Sequence, residues 1–513
     1  MNRMQGESML DEAEADERRA ARLILVSNRG PVEHQIDASG RVVRRANAGG
    51  VATALSSLAA DTPITWIANG TSQSDCAFAR DGRAVDLDSR RRLRFVAPSP
   101  ESYDLYYATF CNPLLWFVQH GLSDRLQRFD SRDVVIDAWE RGYLAVNQTF
   151  AEAVVAEIDR EGGESQVMLH DYHLYAAPLF IRNLRPNAVL QHFVHIPWPA
   201  PRAWDILPRP IVQSICEGLL ANDSVVFQTA EFAKNFLLTC EAALPDARID
   251  ADGGGIANAG RHTRVWHNPV SVDIWDLRGR LFSDEAAPYR EQFAAEDGLP
   301  TIVRVDRVDP SKNITMGFRA YGRMLDTHSE WRGKARFLAF LVPSRTAVPE
   351  YQQYEAEVFA EIDEVNRRHG TGSWTPIEVF HEHNRPQALA ALSRYDVLLV
   401  NSVVDGMNLV SKEGPALNDN DGVLVLSKTA GSYAELRDGA LAVDAHDVDG
   451  TAEAMHRGLT MPAVERSNRA RSLRSAILRH DLRRWLRLLI EDLDGAAVGP
   501  RSASARAASS FRR

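Results

Sequence analysis

Cysteine is scarce in this chain, and its four cysteines are far apart. Cys76, Cys111, Cys216 and Cys240 form no CxxC pair, so the ligand spacing of a structural zinc site is missing. Scattered cysteines of this kind are typical of reduced thiols in a cytosolic protein. We therefore expect a cytoplasmic protein without a zinc site.

Long apolar runs and a basic charge balance are also missing. No apolar run approaches the roughly 18 residues that a membrane-spanning helix needs, and the first residues lack the apolar stretch of a secretory signal. The net charge of −10 argues against a general nucleic-acid binder, because such a protein needs a basic surface. We expect contact with neither a membrane nor a nucleic acid.

Two common nucleotide-binding patterns are absent as well. The sequence contains no Walker loop of the form GxxxxGKS/T and no dinucleotide-binding GxGxxG. An ATPase or a dehydrogenase therefore has little support.

What the sequence does contain is a regular alternation of short apolar strands and helices. The alternation runs from Leu23 to about residue 240, loses a clear period at 246–264, and resumes after Pro300. With 513 residues the chain is long enough for two cores, so we predict an α/β fold with two Rossmann-like, doubly wound parallel-sheet domains facing across a cleft. The predicted divisions are a disordered tail at 1–21, a first domain at 22–268, a second domain at 269–480, a C-terminal helix at 481–493 expected to pack back on the first domain, and a disordered tail at 494–513.

The loops after the predicted strands hold the candidate binding residues. Ligands of open parallel sheets lie at the carboxyl ends of the strands, where these loops meet. Four cations, Arg29, Arg307, Lys312 and Arg345, are divided between the two halves of an acidic chain and predict a phosphorylated ligand in each half. The other candidates in these loops are Gly49, Gly50, Asp171, His195 and the Asp405–Glu413 segment.

The stretch VNSVVDGMNLVSKE, residues 400–413, joins a strand end, a polar loop with glycine and the start of a helix. Free backbone N–H groups at such a helix start suit an anionic or hydroxyl-rich ligand. Taken alone, the same pattern also describes an ordinary connection between a strand and a helix.

Three other features have structural alternatives. The HDYH sequence at 170–173 suggests a metal site, but packing after a strand explains it better. The HEH sequence at 381–383 has no third ligand nearby, which favours a solvated loop. Arg307 and Lys312, taken alone, would serve equally well as surface charges. We therefore predict no metal site.

Several motifs in one order make the chain recognisable. SNRGP with NAGG, HDYHL, FVHIPWP, VDRVDPSKN, VPSR and DGMNLVSKE resemble the family 20 glycosyltransferases over about residues 22–493. The resemblance implies the GT-B architecture, with an acceptor domain followed by a nucleotide-sugar donor domain and no metal or cofactor. It also implies a hexosyltransferase that moves glucose, with retention, from UDP- or GDP-glucose to glucose 6-phosphate and gives trehalose 6-phosphate.

The resemblance implies donor contacts motif by motif. Arg307 and Lys312 would bind the diphosphate and stabilise the leaving nucleotide. Asp405 and His195 would contact the donor sugar, and Glu413 the ribose. The whole implied donor set is Gly49, Gly50, His195, Arg307, Lys312, Asp405, Gly406, Met407, Asn408, Leu409 and Glu413.

The acceptor contacts are implied in the same way. Arg29, Tyr107 and Arg345 would hold the acceptor phosphate, Asp171 would hold its sugar hydroxyls, and Trp116 matches an aromatic residue nearby. The carboxylate pair of a double displacement is not identifiable, so the implied mechanism is a front-face one in which the leaving phosphate oxygen takes the acceptor proton. The implied catalytic set is Asp171, His195, Arg307, Lys312 and Asp405.

Two departures from the family pattern are visible. Asn69 in WIANG stands near a tryptophan that members often carry, and Asn313 in SKN replaces a glycine, as in actinobacterial members. The first departure leaves the acceptor open to glycerol 3-phosphate or an aminocyclitol phosphate, as in glucosylglycerol-phosphate synthases and validoxylamine-type enzymes. A non-catalytic sugar-phosphate sensor is a further alternative. The implied partners are a nucleotide-glucose and a sugar phosphate, and the sequence is compatible with a homo-oligomer.

Overall fold

Two parallel sheets organise the chain in the computed structural model, which describes residues 22–37, 39, 41–46, 54–56, 62–126, 129, 131–162, 165–295 and 298–498. The predicted α/β fold with doubly wound parallel sheets is confirmed. The tails 1–21 and 499–513 and the predicted site residues Gly49 and Gly50 lie outside the described residues.

The strands follow the predicted apolar runs closely. They are β1 Leu23–Val26, β2 Val32–Ile36, β3 Val42–Ala46, β4 Ile64–Asn69, β5 Val85–Asp86, β6 Arg91–Val96, β7 Gln166–His170, β8 Val189–Val194, β9 Ser224–Phe227, β10 Arg248–Ile249, β11 Gly255–Asn258, β12 Arg261–His267, β13 Thr301–Arg307, β14 Arg336–Val342, β15 Ile377–Phe380, β16 Val397–Val400, β17 Val423–Ser427 and β18 Leu441–Val443. Every residue of β1, β8 and β16 is buried, as expected for parallel strands covered by helices on both faces.

The first sheet has the order β10-β11-β12-β9-β8-β7-β1-β4-β6-β5, and its strands from β12 to β6 are parallel. The second sheet, β15-β14-β13-β16-β17-β18, is parallel throughout. The strands β2 and β3 form a separate antiparallel hairpin. All strands of the first sheet precede residue 268 and all those of the second follow residue 300, while the domain limits themselves stay predictions.

The helices cover both faces of the two sheets. The α-helices are α1 Gln73–Arg80, α2 Pro100–Asp104, α3 Trp116–Gln119, α4 Arg132–Asp137, α5 Ala145–Arg160, α6 Ala177–Leu184, α7 Arg209–Leu220, α8 Ala230–Ala243, α9 Ile274–Leu281, α10 Ala287–Ala295, α11 Ile314–Thr327, α12 Pro349–His369, α13 Arg385–Leu392, α14 Val410–Leu417, α15 Tyr433–Leu436, α16 Val448–Thr460, α17 Ala463–Arg479 and α18 Leu482–Val498. Wider π-helical turns occupy Ala138–Leu144 and much of Leu105–Leu115, which kinks at the non-helical residue Asn112.

Each sheet has one point at which the strand order reverses. In the first sheet the chain builds outward from β1 to β4 and β6, then returns to the other side of β1 with β7. In the second sheet β13 is flanked by β14 on one side and by β16 on the other. Loops diverge at such a point and leave a crevice at the carboxyl ends of the strands. The segments after β1, β7, β13 and β16 therefore form the walls of the ligand crevices.

The last helix, α18, returns to the first sheet. The indole of Trp485 is 1% exposed and packs edge-on against Phe193 of β8, with ring centroids 5.2 Å apart. Gln191 of β8 donates to the carbonyl of Leu489 at 3.1 Å and to Asp492 Oδ2 at 2.6 Å. These contacts attach the last helix to the first sheet, although it follows the strands of the second sheet in the sequence.

Two expectations about the chain ends and connections were wrong. Residues 494–498, predicted to be disordered, continue α18, because Ala496 and Ala497 pack against the same apolar cluster as Trp485. The aperiodic segment 246–264 contains β10, β11 and most of β12. Its strands lie toward one edge of the sheet, and two of them are very short or contain several polar and charged residues, so their apolar signal was weak. Within the described residues, no helix combines the length and apolar character needed to cross a membrane.

Candidate functional site

The two halves of the chain meet around the carboxylate of Asp309, in the loop after β13. Arg345, from the loop after β14, donates to Asp309 Oδ2 at 2.6 Å, and Trp116 of the first half donates its indole N–H to Oδ1 at 3.2 Å. Burial alone would raise the pKa of Asp309, but the Arg345 and Arg307 guanidinium groups hold it well below its usual range. The carboxylate is therefore a fixed negative charge that positions two cations.

Arg345 is enclosed by aromatic side chains as well as by Asp309. Its guanidinium lies 4.0 Å from the centre of the Trp116 ring and donates to the hydroxyl groups of Tyr351, at 2.7 Å, and Tyr172, at 3.2 Å. The side chain is 8% exposed. Stacking and forked hydrogen bonds fix the plane of an arginine in a way that lysine cannot reproduce. Arg345 is thus a preorganised cation at the boundary of the two halves.

Arg307 is the freer cation of the same group. Its side chain is 43% exposed, with Nη2 at 3.8 Å from Asp309 Oδ2 and Nη1 at 3.5 Å from Ser344 Oγ. The guanidinium lies 5.5 Å from the centre of the Trp116 ring. None of these contacts saturates its donors, so Arg307 retains N–H groups for an anionic ligand.

Lys312 and Asp405 join the two loops of the second sheet. The Nζ of Lys312 forms an ion pair with Asp405 Oδ2, which also accepts from Asn408 Nδ2 at 3.1 Å and Ser402 Oγ at 3.2 Å. Burial would raise the pKa of Asp405, but Lys312, together with His120 and Asn408, lowers it. Asn408 has φ at +66°, a left-handed conformation that asparagine tolerates. The two loops thus present an ionised carboxylate beside a cation.

At Gly406 the loop after β16 approaches the first half closely. A β-carbon added to Gly406 would lie 2.0 Å from the carbonyl oxygen of His195, which follows β8. No side chain fits in this space, because real β-carbons are essentially never that close to a backbone oxygen. Gly406, which is predicted to contact the nucleotide-sugar donor, therefore also allows the two halves to approach closely at this point.

Asp171 has the most strained backbone of the predicted site residues. Its φ of 74° and ψ of 171° fall in a region that is almost restricted to glycine. Hydrogen bonds hold it in place: its N–H donates to Phe193 O at 2.7 Å, and His195 N–H donates to its Oδ1 at 3.3 Å. Its carbonyl accepts from His192 Nε2 at 3.0 Å and from Leu174 N–H at 3.2 Å. Burial raises the pKa of Asp171 to about 7. A carboxylate that titrates near neutrality and is held in a strained conformation is typical of a functional site.

His195 is bonded within the protein through both ring nitrogens. Val270 N–H donates to Gln228 Oε1 at 2.9 Å, so the other amide atom, Nε2, faces His195 Nδ1 at 3.5 Å as a donor. The proton of the ring is then on Nε2, which donates to His170 Nδ1 at 3.1 Å. Burial lowers the pKa of His195 to about 3, so the ring is neutral.

Arg29 and Tyr107 lie at the outer side of the first-half crevice. Arg29 Nη2 donates to the Tyr107 hydroxyl at 3.5 Å, and the Tyr107 ring stacks on His173, with centroids 6.2 Å apart. His173 also lies 3.9 Å, centroid to centroid, from Tyr172, the residue that accepts from Arg345. A chain of contacts therefore connects Arg29 with Arg345.

Glu413 and its neighbour Lys412 have different surroundings. Glu413 is buried and accepts from Arg385 Nη2 at 2.8 Å. Lys412 is 1% exposed, pairs with Glu435 at 2.5 Å and donates to the carbonyl of Val270 at 2.9 Å. Burial lowers its pKa. Lys412 therefore connects the donor loop with the segment between the two halves, whereas Glu413 is a buried carboxylate paired with Arg385.

The structure brings most of the predicted site residues together. Arg307, Lys312, Arg345, Asp405 and Trp116 meet at the boundary of the halves, Asp171 and His195 lie at the end of the first sheet, and Arg29 with Tyr107 lies at its rim. The sequence analysis missed Asp309, Tyr172, Tyr351 and Arg385. Only the position of Asp309 directly after β13 could have indicated a role.

Among the described residues, neither histidine-rich motif belongs to a group of three potential metal ligands. His170 and His173 are buried, and burial lowers the pKa of each well below its usual range. His381 pairs with Glu355 at 2.7 Å. Elsewhere, His328 and His456 lie near Glu330, but their rings stack in parallel at 3.6 Å, so their lone pairs do not converge on one point.

Comparison with known proteins places this geometry in context. The sequence pattern of the family described as Glycosyltransferase family 20 matches residues 21–495. The bifunctional trehalose-6-phosphate synthase/phosphatase of Thermoproteus tenax is 33% identical over 486 residues, which are 90% of this chain and 62% of that protein. The UDP-forming alpha,alpha-trehalose-phosphate synthase of Pichia angusta is 30% identical over 92% of this chain and 98% of its own length.

Solved structures are similar over the same extent. The UDP-forming alpha,alpha-trehalose-phosphate synthase of Burkholderia xenovorans, in complex with glucose-6-phosphate, is 28% identical with a TM-score of 0.79, and the match covers 92% of this chain and 100% of that one. A structure from E. coli bound with UDP-2-fluoro glucose is 27% identical with a TM-score of 0.79, over 92% of this chain and 98% of that one. The expected arrangement of two facing Rossmann-like domains is confirmed by these similarities.

Proposed function

The chain belongs to glycosyltransferase family 20, and on that premise we propose that it transfers glucose from a nucleotide-diphosphate glucose to glucose 6-phosphate, giving trehalose 6-phosphate. The observation that carries the proposal is the meeting of both strand-order reversals at one boundary. Cations and a titratable carboxylate from different halves line this boundary. One half is thus equipped for a diphosphate donor and the other for a phosphorylated acceptor.

We place the donor along the loops after β13 and β16. Arg307 has unsaturated N–H groups and Lys312 is held by Asp405, so both can face the diphosphate. Asp405, with the backbone of Gly406, Met407 and Asn408, would hold the donor sugar hydroxyls. Leu409 would bind the diphosphate through its N–H, and Glu413 would bind the ribose. Gly49 and Gly50 keep their proposed role near the donor, although they lie outside the described residues.

We place the acceptor between the carboxyl end of the first sheet and the boundary. Arg29, Tyr107 and Arg345 would hold its phosphate, with Trp116 fixing the plane of Arg345. Asp171 would accept from the sugar hydroxyls. The contact of His195 with the donor sugar stays a prediction, and because both ring nitrogens are already bonded within the protein, that contact would use the carbon edge of the ring.

The proposed reaction needs one bond broken and one bond formed at the same face of the sugar. The bond from the anomeric carbon to the diphosphate oxygen breaks, and the acceptor hydroxyl oxygen forms the new bond to that carbon. The hydroxyl proton moves to the departing diphosphate oxygen. Arg307 and Lys312 stabilise the negative charge that develops there, which is transition-state stabilisation by fixed charges. The proposal includes no cofactor, and the nucleotide sugar is a substrate.

The test is a comparison of donors and acceptors with the purified protein. Release of nucleoside diphosphate is measured with UDP-glucose and GDP-glucose, each with glucose 6-phosphate, glycerol 3-phosphate or an aminocyclitol phosphate. We expect turnover with glucose 6-phosphate and at least one donor. Turnover with only another acceptor would replace the acceptor and keep the reaction class. Tight binding without any turnover would favour a sensor. Cytoplasmic location, which the four free cysteines favour, and a homo-oligomer stay predictions.

Asp171 should give the reaction a pH dependence near neutrality. Because its pKa is raised to about 7, the carboxylate becomes an acceptor of hydrogen bonds only as the pH rises through that value. The kcat/KM for the acceptor should therefore rise with pH through about 7. Asp171→Asn should remove this rise and lower kcat/KM at pH 8 by about 10–100-fold, the cost of a lost charged hydrogen bond. The phosphate monoester of the acceptor titrates near pH 6. The variant should therefore keep only the smaller rise of kcat/KM that comes from this phosphate.

The same shift has a sign for stability. The folded-state pKa of about 7 exceeds the ordinary 3.8, so the folded protein binds a proton that the unfolded chain has lost between these values. The free energy of unfolding of the wild type should therefore fall as the pH rises across this window. The free energy of unfolding of the Asp171→Asn variant should fall less over the same pH range. Equal pH profiles of wild type and variant, for both activity and unfolding, would contradict the assignment.

A further inference from the structure

Arg304 is a buried cation beneath the donor loops. It lies in the middle of β13 and its side chain is 0% exposed. Three partners share the guanidinium: Asp306 Oδ2 lies 3.0 Å from Nε, Asn401 Oδ1 accepts from Nη1 at 2.7 Å, and the carbonyl of Lys312 accepts from Nη2. A strand in the core of a sheet does not by itself require a buried arginine. The contacts of Arg304 with Lys312 and Asn401 indicate that it serves the donor loops.

The partners of Arg304 belong to both donor loops. Lys312 is in the loop after β13, and Asn401 is the first residue after β16, four positions before Asp405. Asn401 Nδ2 donates to the carbonyl of Asn313 at 3.2 Å. The carbonyl groups of Lys312 and Asn313 are therefore both held, one by Arg304 directly and one through Asn401.

Asn313 completes the network. Its φ of 57° and ψ of 42° are left-handed, a conformation in which asparagine or glycine is tolerated and branched residues are not. Its side-chain Nδ2 donates to the carbonyl groups of Asn401, at 3.0 Å, and Ala445, at 2.7 Å. Asparagine at this position thus supplies the turn geometry of glycine and two additional hydrogen bonds.

Gly317 makes room for the guanidinium. A β-carbon at this position in α11 would lie 2.3 Å from Arg304 Nη1 and 3.1 Å from Asn401 Oδ1. The glycine is in a helix, where alanine is the better helix former. The space it leaves is therefore better explained by the arginine than by the helix.

We propose that Arg304 is a positioning residue for Lys312: it fixes the Lys312–Asn313 backbone from below, so that the Lys312 ammonium faces the donor diphosphate beside Asp405. The inference rests on the proposed function, because it assigns Lys312 to the diphosphate. It predicts that Arg304 acts through Lys312 and through no contact of its own with substrate.

A double-mutant cycle tests this dependence. Arg304→Met combined with Asp306→Asn removes the buried pair as a neutral unit and avoids an orphaned charge. We expect kcat to fall by about 10–100-fold in the wild-type background, as for displacement of a group by up to 1 Å. In a Lys312→Ala background the same pair of substitutions should change kcat by less than about threefold, because the group being positioned is gone.

Gly317→Ala is a second variant that displaces the guanidinium without deleting it. It should lower kcat in the same direction, and again only while Lys312 is present. The matched control is Arg182→Met, since Arg182 is also a buried arginine that donates to backbone carbonyls, those of Ala221, Pro186 and Ala188, but in the first half. Its effect on kcat should be the same with and without Lys312.

For every variant of the cycle, the affinity for UDP is measured by calorimetry in addition to kcat. Coupling to Lys312 in either quantity supports the positioning role. Equal losses in both backgrounds, or no loss from either Arg304 or Gly317 variants, would overturn it. Absence of turnover in the wild type would instead contradict the proposed function, and the UDP-affinity cycle would still decide the role of Arg304.

Discussion

Replacing Arg307 with alanine is expected to lower kcat by about 10²–10³-fold, the usual cost of losing one charged group that stabilises a leaving group. Arg307 is half-exposed and its contacts with Asp309 and Ser344 are long, at 3.8 and 3.5 Å. Little of the fold depends on it. The thermal unfolding temperature should therefore stay within about 1–2 °C of the wild type, as for most exposed substitutions.

A matched control is Arg319→Ala. Arg319 is also about half-exposed, and it pairs with Glu361 away from the crevice. It should leave kcat unchanged. A fully active Arg307→Ala enzyme would remove this residue from the reaction and leave Lys312 as the cation for the leaving group.

Gly406→Ala is expected to be comparably severe for a different reason. The new methyl group would lie 2.0 Å from the carbonyl oxygen of His195, so the loop that carries Asp405 must move away from the first half. A shift of about 1 Å in a reacting group costs on the order of 10²-fold in rate, and the overpacking costs about 1–3 kcal/mol of stability. We expect both losses together, measured as kcat and as the midpoint of urea unfolding.

Gly279→Ala is the control for this substitution. Gly279 lies within α9 and an added β-carbon would meet nothing within 4 Å. Alanine there should leave kcat unchanged and stabilise the helix by about 0.5–1 kcal/mol. If Gly406→Ala behaved like Gly279→Ala, the two halves would not approach at Gly406 during the reaction.

The strands could be predicted because their sequences carry their own signal. LILV at Leu23–Val26 and the run from Val397 to Val400 are apolar throughout, as buried parallel strands require. The positions of most site residues followed from the same alternation, since they lie in loops after strands. Tyr107 and Trp116 lie in helical segments and were indicated only by the resemblance. Identification of the donor and acceptor roles needed the resemblance, because one loop with Asp-Gly has no specific meaning by itself.

The missed features depend on residues far apart in sequence. Asp309 acquires its role from Trp116, 193 positions away, and from Arg345, 36 positions away, so its position after β13 is the only local sign of that role. Arg304 looks like an interruption of an apolar strand until Asn401 and Gly317 are known to face it. Residues 494–498 looked polar and small, and only their packing on the first sheet shows that they continue a helix.

Retaining transfer of glucose from a nucleotide sugar to glucose 6-phosphate can be tested directly by determining the structure of the product. Proton NMR follows wild-type protein mixed with the active nucleotide-glucose and glucose 6-phosphate. We predict two α-anomeric signals of a 1,1-linked disaccharide 6-phosphate, appearing in step with nucleoside diphosphate, and their loss in Arg307→Ala. Release of free glucose, a β-linked product, or no consumption of donor would rule out retaining transfer of glucose to glucose 6-phosphate.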